Sequence, residues 1–448
     1  MLDNDEKLLQ AQKELENEGL IACDLEADGL DVTKASLQGI GLGTKEKLYF
    51  IPFPNNCSKQ YIIEFLEKEF TKTVIFHNAK YDMKLLLAKG FPIPKKFHDT
   101  MIMSWLIDEN TAHGLKPLAK LILGEDPKKW EQLRKEEDLF TTKEDIMYEL
   151  AEYCCADVKN TFRLYEHFYP LLEKEGAKIA YERVELKLIP VLMHLELRGI
   201  KVDVSMLQKK NELASIELKN LEKKILAKIK EVDAKGLYNL RSPKQIEDIL
   251  FNVLKYEPVN VTDSGKRSTD SESLEAIIKK HELTEEDVVP MLLKFRDLDK
   301  VNNTYFVALA QQAGTENIIR ANFLQHGTRT GRLASNDPNM QNIPTRHDEW
   351  NVREAFVPRE GYKFIISDYS QIELRVLAHF SRDKHMVETF QNGGDIHATT
   401  MKLTGITVRR IAKNVNFGMV YGVGPRTLSH LVGCDEKQAK KYIDGFFS

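Results

Sequence analysis

The chain has 448 residues, too many for one ordinary hydrophobic core, so two or three domains are expected. Charged residues make up 29% and hydrophobic ones 42%, the balance of a soluble globular protein, and a net charge of −4 excludes a global positive field, so any nucleic-acid surface must be a local patch. Five cysteines (Cys23, Cys57, Cys154, Cys155, Cys434) with no C-x-x-C pair or zinc spacing argue against a disulfide framework and for a reducing compartment. The N-terminus lacks the pattern of a signal peptide and no run reaches the length of a membrane span, so a cytoplasmic protein with no membrane partner is expected.

Residues 5–17 read as an amphipathic helix, and Leu20–Leu25, 36–43 and 47–53 read as strands by their β-branched and aromatic content. A fourth apolar run, Thr73–His77, precedes a helix from about Lys80 to Lys89, and helical patterns follow near 99–108, 115–123 and 143–173. Sheet first and helices after predicts an α/β or α+β domain ending near residue 172. From there to about 312 the pattern is almost wholly helical, with a long stretch at 203–231 and a polar loop, Thr262–Asp270, carrying Lys266 and Arg267. An elongated projection with that tip suits a clamp on a phosphate backbone. Residues 201–230, with eight Lys against four acidic residues, are one candidate for a local DNA-binding patch, although composition alone favours a solvated helix face. Strands are expected again at Ile318–Phe323 and 362–367, then helices at 372–380, 395–403, 409–421 and 435–446.

Asp24 and Glu26, two apart in a strand, point to the same face of the sheet. Two acids on one face of an apolar strand are costly unless something positive joins them. Tyr153 and Asp157, four apart in a helical pattern, share a helix face, and His77-Asn-Ala-Lys-Tyr-Asp82 adds a carboxylate just inside a helix. Four acids from three segments suit two Mg²⁺ ions about 4 Å apart, with Mn²⁺ as a substitute, the arrangement that serves phosphodiester cleavage. Tyr153 would orient the attacking water. Taken singly, Asp24 and Glu26 read as a strand edge entering a turn at Asp28-Gly29, and Asp82 and Asp157 as solvated helix acids. Cys154 and Cys155 read as small packing residues.

Further on, Asp368 follows the apolar strand Lys363–Ser367, where a hard divalent ion could be held. Arg409, Lys413, Phe417 and Tyr421 are four residues apart, so on a helix each lies about 40° round from the last and all share one face. Two cations, an aromatic plate and a phenol suit a triphosphate attached to a flat base, whereas in an arbitrary protein they would be a solvated stripe beside core aromatics.

Together, Asp24, Glu26, Asp82, Tyr153 and Asp157 resemble the three exonuclease motifs of the DEDD superfamily in its Tyr-containing subclass. Ser367-Asp-Tyr-Ser-Gln-Ile-Glu-Leu-Arg375 and Arg409-Arg-Ile-Ala-Lys-Asn-Val-Asn-Phe-Gly-Met-Val-Tyr-Gly422 resemble motifs A and B of the family A DNA polymerases, the bacterial DNA polymerase I type and its phage relatives. Thr328–Ser335 and Asp337–Pro344 are similar to that family's primer-template contact segment, and Asn239–Gln245 and Ser268–Asp270 to recurring segments of its thumb.

The resemblance implies an RNase H-like 3′→5′ proofreading exonuclease domain at 1–172 and an incomplete right-hand polymerase domain at 173–448. Within the latter it implies a thumb at about 190–312, a palm at about 313–380 and fingers at about 381–448. Asp368 and the Tyr369 carbonyl would hold two catalytic Mg²⁺ ions. Gln371, Glu373, His397, Arg409, Lys413, Phe417 and Tyr421 would line the incoming nucleotide, with Glu373 as a steric gate against a ribose 2′-OH. Lys266, Arg267, Arg332, Gln341 and Asn342 would touch primer-template DNA. Partners implied are primer-template DNA, single-stranded 3′ ends and deoxynucleoside triphosphates, handled by a monomer in a bacterial or phage-infected cell.

Two departures from the family stand out. The link Thr404–Val408 is shorter than usual, and the family's third motif, a His-Asp dipeptide in a palm hairpin, would lie beyond Ser448. His98-Asp99 and His347-Asp348 both precede motif A and cannot serve. Two-metal nucleotidyl transfer needs two acids, so these residues are expected to proofread without polymerising. The alternatives are a stand-alone 3′→5′ exonuclease with a polymerase remnant that grips duplex DNA, and a non-catalytic primer-template binding module.

Overall fold

The N-terminal part of the chain is organised on a sheet whose central strand is β1 (Leu20–Ala27). The structure, a computed structural model, describes residues 1–126, 142–234, 237–261, 265–344 and 350–447. The start of the polar loop at 262–264 and the dipeptide His347-Asp348 lie outside the described residues. The chain divides into two units, Met1–Gly361 and Tyr362–Ser448.

In the first unit, α1 (Asp5–Leu15) begins at Asn4, whose side chain accepts the Lys7 N–H, and it buries Leu8, Ala11 and Leu15 along one stripe. β1, β2 (Leu37–Gly43) and β3 (Leu48–Pro52) form an antiparallel meander. After α2 (Lys59–Glu69), β4 (Thr73–Phe76) pairs in parallel with the other edge of β1. Then α3 (Ala79–Ala88) leads to β5 (Phe97–Asp99), which closes the order β3-β2-β1-β4-β5, and to α4 (Thr100–Ile107). Only three residues long and containing His98 and Asp99, β5 has too little alternation to be read from sequence, and the expected helix at 99–108 absorbed its last residue.

The period of two along β1 divides its environment. Ile21, Cys23 and Leu25 join the large core with α1, α2 and α3. Ala22 faces the other way, packing with Val158 and Phe162 of α6 (Lys143–Lys174). Between these helices lies α5 (Leu115–Leu118), which runs on in a wide π turn through Leu123. A reciprocal capping box of Thr142 and Asp145 starts α6.

The first apolar core continues through Tyr181 to Met193 in α7 (Leu186–Arg198), and a second begins at Val202. That second core is helical: α8 (Val204–Val232) buries Leu207, Ala214, Leu218, Leu221, Ile225 and Ile229, with α9 (Val288–Val301) among its packing partners. On α8, Lys209, Lys219, Lys223, Lys224 and Lys230 are exposed, as the solvated reading has it, whereas Lys210 is held by the Trp350 and Asn351 carbonyls and by Glu354. The single strand expected at 318–323 is broken. Ile318–Ile319 pair with Ile200–Lys201, and a separate hairpin joins β6 (Asn322–Leu324) to β7 (Ala334–Asn336).

The second unit is helical: α10 (Ile372–Ser381), α11 (Lys384–Gln391), α12 (Ile396–Thr404), α13 (Arg409–Val420), α14 (Pro425–Val432) and α15 (Glu436–Phe447). Lys363–Ser367, expected to be a strand, is not one. A strand exists only when neighbours take its backbone hydrogen bonds, and this apolar run finds no sheet partner among the described residues. Ile365 and Ile366 stand 95% and 92% exposed.

Candidate active sites

Asp24 and Glu26 continue the β1 face that Ala22 presents to α6. α6 comes close because Gly41, opposite Asp24 on β2, has no side chain: a Cβ there would lie 2.5 Å from Cys154 Sγ. Cys154 is buried as a packing residue, and its thiol donates to the Asp24 carbonyl at 3.6 Å. One ligand atom from each of Asp24, Glu26 and Cys154 falls within 4.8 Å of the others. Asp82, on the first turn of α3, accepts the Leu25 N–H at 3.1 Å, which pins it to β1 between the two strand acids.

Asp99 sets the start of α3. Its carboxylate accepts the N–H groups of Asn78 and Ala79 at 3.2 and 2.8 Å, and those of Met101 and Ile102 at the start of α4 at 2.9 and 3.3 Å. One buried acid therefore caps two helices.

Asp157, on α6, is ion-paired to Lys116 of α5, whose ammonium also lies 4.0 Å from the centre of the Tyr153 ring. The structure thus gathers all five expected residues in one recess and adds a sixth, Lys116. A lone lysine inside Leu115-Lys-Pro-Leu-Ala119 was the signal available for it, but its partner is far away in sequence.

Burial pushes Asp24 well above the usual carboxylate range, reinforced by Glu26, Asp157 and Asp82 and opposed by Lys116. Glu26 is pushed up to about 8 by burial and then by Asp157. Burial also raises Asp82 and Asp157, the latter against the pull of Lys116. Four crowded hard oxygen donors, each driven towards protonation, fit divalent cations such as Mg²⁺ or Mn²⁺, whose charge would restore the ionised forms.

In the second unit, α10, α12 and α13 bring Glu373, His397, Arg409, Lys413, Phe417 and Tyr421 together. Arg409 forms an ion pair with Asp395 at 2.9 Å. Lys413 Nζ lies 5.8 Å from the centre of the Phe417 ring, which is 6.2 Å from the His397 ring. The Tyr421 hydroxyl approaches the two Glu373 carboxylate oxygens at 3.3 and 3.4 Å. His397 is buried, and Asn416 Nδ2 donates to its Nδ1 at 2.8 Å while Thr400 holds the Asn416 oxygen at 2.7 Å. With Nδ1 accepting, Nε2 carries the proton and can donate.

Gln371 takes a left-handed backbone (φ 54°) as the cap of α10. Asp368 and Tyr369 lie exposed in the irregular stretch before it, so Asp368 does not end a strand as expected. They join the cluster by no hydrogen bond or ion pair among the described residues.

The expected DNA contacts are scattered along the first unit. Arg267 is held by Glu247 at 2.9 Å and stacks over Phe251, while Lys266 beside it is exposed. Arg332 is exposed, Gln341 donates to the Leu333 carbonyl at 2.9 Å, and the Asn342 carbonyl accepts from the Tyr305 hydroxyl at 2.6 Å. This segment is tied to α3, α4 and α7. Trp105 Nε1 donates to the Thr328 carbonyl at 3.0 Å, and buried Glu196 receives both Lys80 and Lys84 of α3 as well as the Phe323 N–H of β6.

Residues 204–448 match the family model for DNA polymerase family A, and residues 1–173 match that for a 3′-5′ exonuclease. The chain belongs to DNA polymerase family A. It is 34% identical over 447 residues to DNA polymerase I of Borreliella burgdorferi, covering 95% of this chain and 47% of that protein. Against DNA polymerase I of Pseudomonas aeruginosa it is 31% identical, covering 97% of this chain and 50% of the relative. The chain therefore spans about half the length of the curated relatives it matches. Its fold is similar to that of the polymerase domain of Pol1 from M. smegmatis, solved in complex with DNA primer-template and dNTP, with a TM-score of 0.83 at 23% identity over 98% of this chain and 74% of that one. The two family matches follow one another along the chain in the same order as the two clusters of residues. No helix among the described residues is long and apolar enough to cross a membrane.

Proposed function

We propose that residues 1–172 are a 3′→5′ proofreading exonuclease acting on single-stranded DNA ends, and that 173–448 supply part of a template-directed DNA polymerase. The observation that carries this reading is the recess in which Asp24, Glu26, Asp82 and Asp157 converge beside Tyr153. Asp24, Glu26, Asp82 and Asp157 would hold two Mg²⁺ ions, or Mn²⁺, which when bound would supply an activated water and a stabilised leaving oxygen. Tyr153 would orient that water through its hydroxyl. The Leu25 N–H and the double cap of Asp99 hold Asp82 and α3 in place.

In the polymerase part, Arg409 and Lys413 bind the triphosphate of an incoming deoxynucleotide, and the His397 Nε2–H donates to it. Phe417 lies under the sugar and base, with Tyr421 at the templating pair. Glu373, beside the Tyr421 hydroxyl, fills the space a ribose 2′-OH would need. Asp368 and the Tyr369 carbonyl are metal ligands in this reading, with Gln371 near the nucleotide. Lys266, Arg267, Arg332, Gln341 and Asn342 line the primer-template. The bacterial relatives support work in a bacterial cytoplasm, and we propose a monomer.

The test uses purified residues 1–448 with a 5′-labelled primer on a longer template in Mg²⁺, with and without the four deoxynucleotides. Shortening in both conditions, abolished by Asp24→Ala, is the expected result. Shortening that survives Asp24→Ala would sink the nuclease assignment, and extension would mean that a second acid within these residues completes the polymerase site.

A further inference from the structure

Lys116 is the cation built into the nuclease recess, and its placement has more than one anchor. Its side chain is only 17% exposed, its ammonium is ion-paired to Asp157, and the same nitrogen lies 4.0 Å from the centre of the Tyr153 ring. Tyr153 and Asp157 are one helical turn apart on α6, so a single ammonium bridges that turn from outside the helix. Lys116 reaches them from the short helix α5, which is fixed by burial of Leu118 and Ala119.

We propose that Lys116 is the positioning residue of the nuclease site, a tethered counter-ion that occupies Asp157 and seats the Tyr153 ring until a divalent cation displaces it. The inference rests on the nuclease reading above. A carboxylate oxygen that holds a buried ammonium cannot give the same lone pair to a metal, so the two cations compete for Asp157. Without Lys116 the crowded acids of the metal-free recess would face one another with no counter-charge at Asp157. Metal entry is then an exchange of cations rather than a filling of bare carboxylates.

The experiment has two arms, neither of which reads activity. In the first, Mn²⁺ binding is measured by titration calorimetry at one pH for the wild type, Lys116→Met, Lys120→Met and Asp24→Ala. Removing the competitor should tighten Mn²⁺ binding by about tenfold or more, since charges this close inside a protein interact strongly. Lys120, exposed and paired with Asp126, controls for loss of net charge and should leave affinity within about twofold. A merely structural role for Lys116 predicts the opposite sign, weaker Mn²⁺ binding together with a lower melting temperature.

The second arm uses the unmodified protein, which removes any dependence on the variant folding. Acetic anhydride labelling read by mass spectrometry should modify Lys116 slowly in EDTA, where its amine is buried and ion-paired, and about fivefold faster or more with Mn²⁺ bound. Equal labelling in the two states, or an unchanged affinity in Lys116→Met, overturns the proposal. If Asp24→Ala leaves the binding heat intact, the nuclease reading itself falls, so the two failures are told apart.

Discussion

At Gly41 a single missing methyl group decides how near α6 comes to the sheet. Alanine there would place its Cβ 2.5 Å from Cys154 Sγ and 2.9 Å from a Val158 methyl, both on α6. Gly41→Ala should therefore cost about 1–3 kcal/mol through overpacking. It should lower nuclease turnover by more than the melting temperature suggests, because Tyr153 and Asp157 ride on the displaced helix; unchanged turnover would refute this. His98 gives a second prediction. Enclosed by Tyr165, Tyr169 and Tyr181, it is pushed down to about 4 by burial, so the unfolded chain takes up its proton near pH 6.5 while the folded chain resists until about 4. Its contribution to stability is complete above the unfolded value and is lost as pH falls between the two. The drop in melting temperature from about pH 7 to 5 should be smaller in His98→Phe than in the wild type, and parallel curves would contradict it. At this scale the sequence was legible wherever spacing encodes direction: two apart on β1, four apart on α6 and α13. It was silent on Lys116 and Asp99, whose roles depend on partners brought in by the fold.

Among the elements, α3 does two tasks. Its first turn carries Asp82 to β1, while Lys80 and Lys84 meet buried Glu196 of α7, which also takes the Phe323 N–H of β6. Removing the charge of Glu196 leaves two ammonium groups without their counter-ion, and breaking such a buried pair costs about 3–5 kcal/mol. Glu196→Gln should show that loss in urea denaturation of the first unit, while Lys34→Gln, at an exposed surface pair, should cost under about 1 kcal/mol. Comparable losses from the two variants would refute the assignment. Elements with a sustained period, such as α6, α8 and α13, could be read from the sequence to within a residue or two at each end. Short α11, α14 and β5 were not read from it. Lys363–Ser367 was misread: its apolar content is strand-like, but pairing is a property of neighbours.

Across the whole molecule, apolar surface is unevenly placed. Ile365 and Ile366 are almost fully exposed beside Tyr362 and Tyr369, an adhesive stretch of a kind soluble proteins seldom leave uncovered. Replacing both isoleucines with threonine should raise the solubility limit of residues 1–448 without moving the melting transition of the first unit, and unchanged aggregation would exclude this stretch as its source. The two-domain order was readable from the motifs. The apolar cores part between Met193 and Val202, because α7 packs back on α3, a tertiary choice that composition does not record. The same long-range construction governs how the protein is made. Asp24 emerges early in synthesis and Asp157 much later, on the helix that completes the recess, so on the proposed reading a growing chain carries no finished site. Any capacity to cut a strand would then arise only with the fold that completes it.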